Sequence, residues 1–102
     1  MIEHRKQQRY ERRIAIEYTV GDTWESSFTK NMSIGGLYIL AEEPFPILGT
    51  KMKVRFKVPT QKEPIEVGSQ VRWSDSGGFG VQFDGLRARD VWALGKFLEQ
   101  PA

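Results

Sequence analysis

Residues 51–58 carry the strictest pattern in the chain, with Met52, Val54, Phe56 and Val58 alternating against Lys51, Lys53, Arg55 and Lys57. Successive side chains of a strand point to opposite faces, so this period of two predicts a strand with one face in the core and one in water. Upstream, Ile14, Ile16, Tyr18 and Val20 share one parity, while Ala15, Glu17 and Thr19 share the other. Gly21-Asp22 supplies a turn, and the β-favouring residues from Trp24 to Lys30 predict a second strand and a hairpin. Leu37 to Leu40 is a short apolar run between Gly35-Gly36 and the loop of Glu42, Glu43, Pro44 and Pro46, which ends near Gly49. Beyond the polar connection from Pro59 to Pro64, Ile65, Val67, Val71 and Trp73 share a parity, and Gly77-Gly78 turns the chain toward Phe79, Val81 and Phe83. Only the last segment changes period: Val91, Leu94 and Leu98 recur at helical spacing between Arg87 and Gln100, with Pro101 as the stop. Six short strands with a common inner parity predict an all-β fold, a six-stranded antiparallel β-barrel of Greek-key or split type with one C-terminal α-helix, because closure removes exposed edges.

A chain of 102 residues fits one domain. The boundaries expected are a flexible basic arm over 1–13 and a barrel with its helix over 14–100. No apolar stretch reaches the length of a membrane span, and the first thirteen residues are polar where a signal peptide is apolar, so a cytoplasmic protein with no membrane span is expected. The absence of cysteine excludes a disulfide framework, thiolate catalysis and cysteine zinc sites together. His4 is the only histidine, and neither a catalytic pair nor a set of metal ligands stands at the required spacing. The expectation is therefore a protein that is not an enzyme, with no catalytic residue, no metal and no cofactor.

Charge is distributed unevenly. Residues 1–13 hold Arg5, Lys6, Arg9, Arg12 and Arg13 against Glu3 and Glu11, a net +3, while the remainder holds ten bases against eleven acids. Positive charge concentrated on one short arm argues for a small anionic partner more than for long nucleic acid, which is met by a broad basic face.

Two motifs stand on this scaffold. Arg9-Tyr10-Glu11-Arg12-Arg13 places guanidinium groups immediately before the first strand. A guanidinium fork donates paired hydrogen bonds to phosphate or to the O6/N7 edge of guanine, and its plane stacks on a base. Asn31-Met32-Ser33-Ile34-Gly35-Gly36 lies between the second and third strands; its Asn and Ser can address a base edge, and its glycines allow positive φ or close approach. In isolation each segment also reads as an ordinary terminus or turn.

Taken in order, the chain resembles the PilZ family. Arg9 and Arg13 match its Arg-x-x-x-Arg motif, and Asn31, Ser33 and Gly36 match its (Asp/Asn)-x-Ser-x-x-Gly motif. Val71-Arg72-Trp73, Gly78-Phe79-Gly80-Val81-Gln82-Phe83 and the terminal helix extend the resemblance over roughly residues 5–99. The resemblance implies a cyclic di-GMP receptor or adaptor whose arm orders over the nucleotide and changes the surface offered to a downstream protein partner. By carry-over, Arg9 and Arg13 contact guanine faces and phosphates, while Asn31, Ser33 and Gly36 hold a guanine edge. Arg5, Arg12 and Gly35 are auxiliary candidates, and Arg5 with Arg9 offers a second register of the same spacing. Trp73 is a candidate stacking wall, although its parity with Val67 and Val71 favours the core.

Two other classes remain as alternatives. One is a PilZ-like protein-interaction module that binds no nucleotide. The other is a single-stranded nucleic-acid-binding barrel using the stripe of Lys51, Lys53, Arg55 and Lys57, a reading disfavoured because Phe56 points to the core and no aromatic interleaves the charge.

Overall fold

The computed structural model describes residues 8–101. Strands β1 (Tyr10–Glu11), β2 (Ala15–Val20), β3 (Thr23–Met32), β4 (Gly36–Leu40), β5 (Lys51–Phe56), β6 (Ile65–Asp75) and β7 (Gly78–Phe83) precede one helix, α1 (Ala88–Glu99). The sheet order is β1-β3-β2-β5-β6-β7-β4, and β4 returns to pair with β3. That last pairing closes β2 to β7 into the expected six-stranded antiparallel barrel. The two-residue β1 was not foreseen: Tyr10 pairs with Met32 and Glu11 with Asn31, so part of the expected arm lies along the end of β3.

The inner faces follow the sequence pattern. Ile16, Met52, Val54, Phe56, Val67, Val71, Phe79 and Val81 are buried in one core cluster. Helix α1 caps this core with Ala93, Leu94, Phe97 and Leu98. Val91, expected on the buried face, is 40% exposed. The helix is phased instead on Asp90, whose buried carboxylate accepts a 2.9 Å hydrogen bond from Gln61 Nε2 and an ion pair from Arg87, leaving Val91 at the margin. Thr60 Oγ1 donates to the Ala93 carbonyl at 2.6 Å. At the other end, the Arg12 guanidinium donates to the carbonyls of Leu98 and Gln100, where a cation suits the helix dipole.

Candidate functional site

Two bulges shape one patch of the barrel's outer face. Between Thr29↔Ile39 and Asn31↔Tyr38 strand β3 takes one extra residue, and between Val71↔Val81 and Trp73↔Gly80 strand β6 takes Arg72 as an extra residue. In each case a buried residue, Thr29 or Val71, is followed two positions on by one facing outward, Asn31 or Trp73. A bulge re-aims side chains in this way. Trp73, placed in the core by parity, is in fact 37% exposed, because the inserted Arg72 reverses its face.

The registers align Asn31, Tyr38, Gly80 and Trp73 in a row across four strands. Gly80 is the floor of this row: a Cβ there would stand 2.5 Å from the indole, so only glycine lets Trp73 lie flat on the strand. The Tyr38 and Trp73 ring centroids are 5.2 Å apart. The Tyr38 hydroxyl donates to the Asp75 carboxylate, and Lys30 Nζ stands 5.5 Å from the Tyr38 ring centroid. Burial first, then the hydrogen bond to Asp75 and its charge, push the Tyr38 phenol up to about 12. The same hydrogen bond, with a second from the Gly77 N–H, holds Asp75 below its ordinary value.

Beside this row the Ser33–Gly36 loop forms a rigid wall. The Ser33 N–H donates to the Gly36 carbonyl at 2.8 Å, Ser33 Oγ accepts from the Gly35 N–H at 3.1 Å, and the Phe83 N–H reaches the Gly35 carbonyl at 2.8 Å. The glycine pair serves close approach: a Cβ on Gly36 would lie 2.1 Å from the Val81 carbonyl oxygen, whereas positive φ among the described glycines occurs at Gly21 and Gly49.

Between the wall and Trp73, the end of the row, lies a cavity of about 430 Å³ lined by Arg9, Ser33, Gly35, Gly36, Arg72 and Trp73, with Leu86 and Val91 as an apolar border. Arg9 Nη1 donates to Asn31 Oδ1 at 3.1 Å, and its guanidinium carbon lies 5.8 Å from the Trp73 ring centroid. Among the described residues the Arg72 side chain makes no hydrogen bond or ion pair, and no carboxylate lines the cavity. Sequence reading missed Arg72 as a site residue; its position before Trp73 was visible, but the bulge that turns both outward was not.

Other candidates lie apart. Arg13 stacks on Phe28 at 4.6 Å and borders a different groove, with Lys30 and Tyr38. Arg12 is engaged at the end of α1, and Arg5 lies outside the described residues. On the basic stripe, Arg55 pairs with Glu17 at 3.0 Å and Glu66 at 3.5 Å, and Lys51 with Asp84 at 3.8 Å. The neighbouring outer face carries exposed Trp24 and Phe28, aromatics that the alternation in β5 did not reveal. Among the described residues no cluster of three or more His, Asp or Glu could hold a metal ion, and no helix is long and apolar enough to cross a membrane.

A family model described as PilZ domain matches residues 3–100. No curated protein matches the chain in sequence. Among solved structures, the Bacillus subtilis inhibitor of motility MotI/DgrA superposes with a TM-score of 0.81 at 18% identity, over 96% of this chain and 50% of that one. The PilZ domain of CeSA from a cellulose-synthesizing bacterium superposes with a TM-score of 0.70 at 13% identity, over 90% of this chain and 95% of that one. The chain thus spans about half the length of MotI/DgrA. Identities this low speak for the barrel alone, whereas the family match takes in both arginine and Asn-x-Ser-x-x-Gly motifs: this chain belongs to the PilZ domain family.

Proposed function

We propose that this chain is a cyclic di-GMP receptor whose nucleotide lies in the cavity between the Ser33–Gly36 loop and Trp73. The family is one of cyclic di-GMP receptors and adaptors, which supports the ligand class. The observation that carries the reading is the juxtaposition of Arg9, Arg72 and an exposed indole in one cavity whose lining, among the described residues, holds no carboxylate. Two guanidiniums match the two phosphates of the ligand in charge. Trp73 offers a face for a guanine, and either fork fits the guanine O6/N7 edge or a phosphate. Asn31 keeps Arg9 over the site, while Ser33, Gly35 and Gly36 fix the opposite wall.

Arg13 joins the site in this reading by leaving Phe28 as the arm reorganises over the nucleotide. Because Arg12 on the same arm holds the last carbonyls of α1, that movement alters the surface around the helix end. A protein partner reads the change, and the chain acts as an adaptor without catalysis.

Titration calorimetry with cyclic di-GMP, cyclic di-AMP and GTP tests the reading on wild type, Arg9→Ala and Arg13→Ala. Selective binding of cyclic di-GMP, weakened in both variants, is the expected result. No heat and no rise in melting temperature at high nucleotide would overturn it in favour of an interaction module indifferent to nucleotide.

A further inference from the structure

The β4–β5 connection ends in a turn of unusual composition. Ile47, Leu48, Gly49 and Thr50 close on a 3.0 Å hydrogen bond from the Thr50 N–H to the Ile47 carbonyl, and Gly49 takes the positive φ of 90° that a type II turn requires at its third residue. Tips of such turns are normally polar. Here Ile47 is 80% exposed and Leu48 61% exposed.

These side chains stand on a fixed frame. The Gly49 N–H donates to the Val71 carbonyl at 2.8 Å, the Val71 N–H to the Thr50 carbonyl at 2.9 Å, and the Ala41 N–H to the Gly77 carbonyl at 3.0 Å. Covering Ile47 and Leu48 therefore costs little chain entropy, which is the condition for an efficient contact surface. Next to Ile47 runs a groove of about 570 Å³ walled by Val20, Phe45, Pro46 and Met52. Val20 is half-exposed there although it shares the inner parity of Ile16.

The rim of the groove is acidic. Glu25, near the start of β3, and Glu42 line it, with Asp22 in the β2–β3 turn and Glu43 next to Glu42 in the β4–β5 connection, all four exposed. Among the described residues the one cation in the lining, Lys51, is paired with Asp84 at 3.8 Å. An apolar floor between carboxylates is complementary to an apolar strip between cations, and like charge opposes an anionic lipid surface.

We propose that this groove docks an amphipathic helix of a partner protein, one whose apolar face is flanked by lysine or arginine. The groove lies at the opposite end of β4 from the cavity: the strand leaves the cavity wall at Gly36 and reaches the groove at Ala41. Both sites can be filled at once, and the docking surface does not depend on nucleotide binding.

The probe is a helix-forming leucine/lysine peptide of about eighteen residues, five turns long, compared with its leucine/glutamate counterpart and with phosphatidylglycerol vesicles. Amide shift mapping on the full chain is expected to confine the lysine peptide to residues 18–25 and 41–52. Ile47→Asp, and separately Glu42→Lys with Glu43→Lys, weaken it by about tenfold or more, the scale of losing one interface anchor. Equal binding of the glutamate peptide, shifts centred on other surfaces, or no binding would overturn the proposal. So would vesicle binding abolished by Ile47→Asp, which assigns the turn to a membrane, or a concentration-dependent dimer abolished by it, which assigns the turn to a second copy.

Discussion

Strands β5 and β6 run side by side in unbroken register from Lys51↔Gln70 to Phe56↔Ile65, yet their far ends do opposite work. Strand β5 never departs from alternation: Met52, Val54 and Phe56 face the core, and Lys51 and Lys53 face water. Strand β6 keeps step with it, then admits Arg72 and presents Arg72 and Trp73 on one face. A regular strand cannot place two consecutive side chains on the same side. The irregular end can, and it thereby sets a guanidinium beside an indole. Regularity makes core here, and its interruption makes the candidate site.

Substitutions of one large aromatic in each strand separate the two roles. Phe56→Ala removes a buried ring from the regular face and is expected to destabilise the fold by about 3–5 kcal/mol. The folded fraction keeps its nucleotide affinity. Trp73→Ala is expected to cost about 1 kcal/mol or less in stability, since the indole is part-exposed. Loss of stacking on a base lowers affinity by about 1–3 kcal/mol, roughly 5- to 150-fold. Urea unfolding and calorimetric titration read the two quantities separately. If Trp73→Ala unfolds the protein as readily as Phe56→Ala, the distinction between the two strand ends collapses.

Two glycines test the same contrast more finely. Gly36→Ala drives a methyl group into the Val81 carbonyl, a backbone group that no rotamer change can move, and is expected to cost about 3 kcal/mol and part β4 from β7. At about 4–8 °C per kcal/mol, the fall in melting temperature is plain in a calorimetric scan. Gly80→Ala instead meets the Trp73 side chain, which can swing away. Its expected signature is weaker nucleotide binding with a smaller loss of stability; the reverse ranking of these two variants would place the structural burden on Gly80.

How much of this was legible follows from the same physics. The alternation of Met52, Val54 and Phe56 exposed the core because every second residue of an unbroken strand shares a face, and the barrel followed from six such segments. Gly36 and Ser33 were legible as a loop motif, and the structure adds a close strand contact at Gly36 and an internal turn bond at Ser33. For Trp73, parity favoured the core over the stacking wall because parity counting assumes that no residue is inserted, and nothing in Val71-Arg72-Trp73 announces a bulge. Strand β1 was invisible for a different reason: two residues carry no period, and Tyr10–Glu11 pairs only because the closed barrel leaves the end of β3 beside it.

Arg9 and Arg72 test whether the bulged end is a cation site at all. Each Ala variant is expected to lose about 1.5–3 kcal/mol of binding, roughly tenfold or more, with little change in stability, because hydrogen bonds to charged groups are worth that much. Arg72→Lys keeps the charge and loses the fork, so it should recover only part of the affinity. Full recovery would reduce Arg72 to a point charge; no effect from either substitution would remove it from the site.

The smallest expected effect concerns Tyr38, which belongs to the same outward row as Trp73 but is buried. The folded protein holds the phenolic proton more tightly than the unfolded chain, whose tyrosines lose it near 10.0. The contribution to stability is thus complete below pH 10.0 and lost as pH rises through about 12. For Asp75, lowered from 3.8 by the Tyr38 hydroxyl and the Gly77 N–H, the contribution is present above 3.8 and lost as pH falls through the lower folded value. The difference in phenolate absorbance between wild type and Tyr38→Phe isolates this residue from the other two tyrosines. Its midpoint should stand near 12 and fall only part-way toward 10.0 in Asp75→Asn, because burial, the largest cause, remains when the carboxylate is gone. A midpoint already near 10.0 in wild type would mean that solvent reaches the hydroxyl, and that the outward row is open at Tyr38 as it is at Trp73.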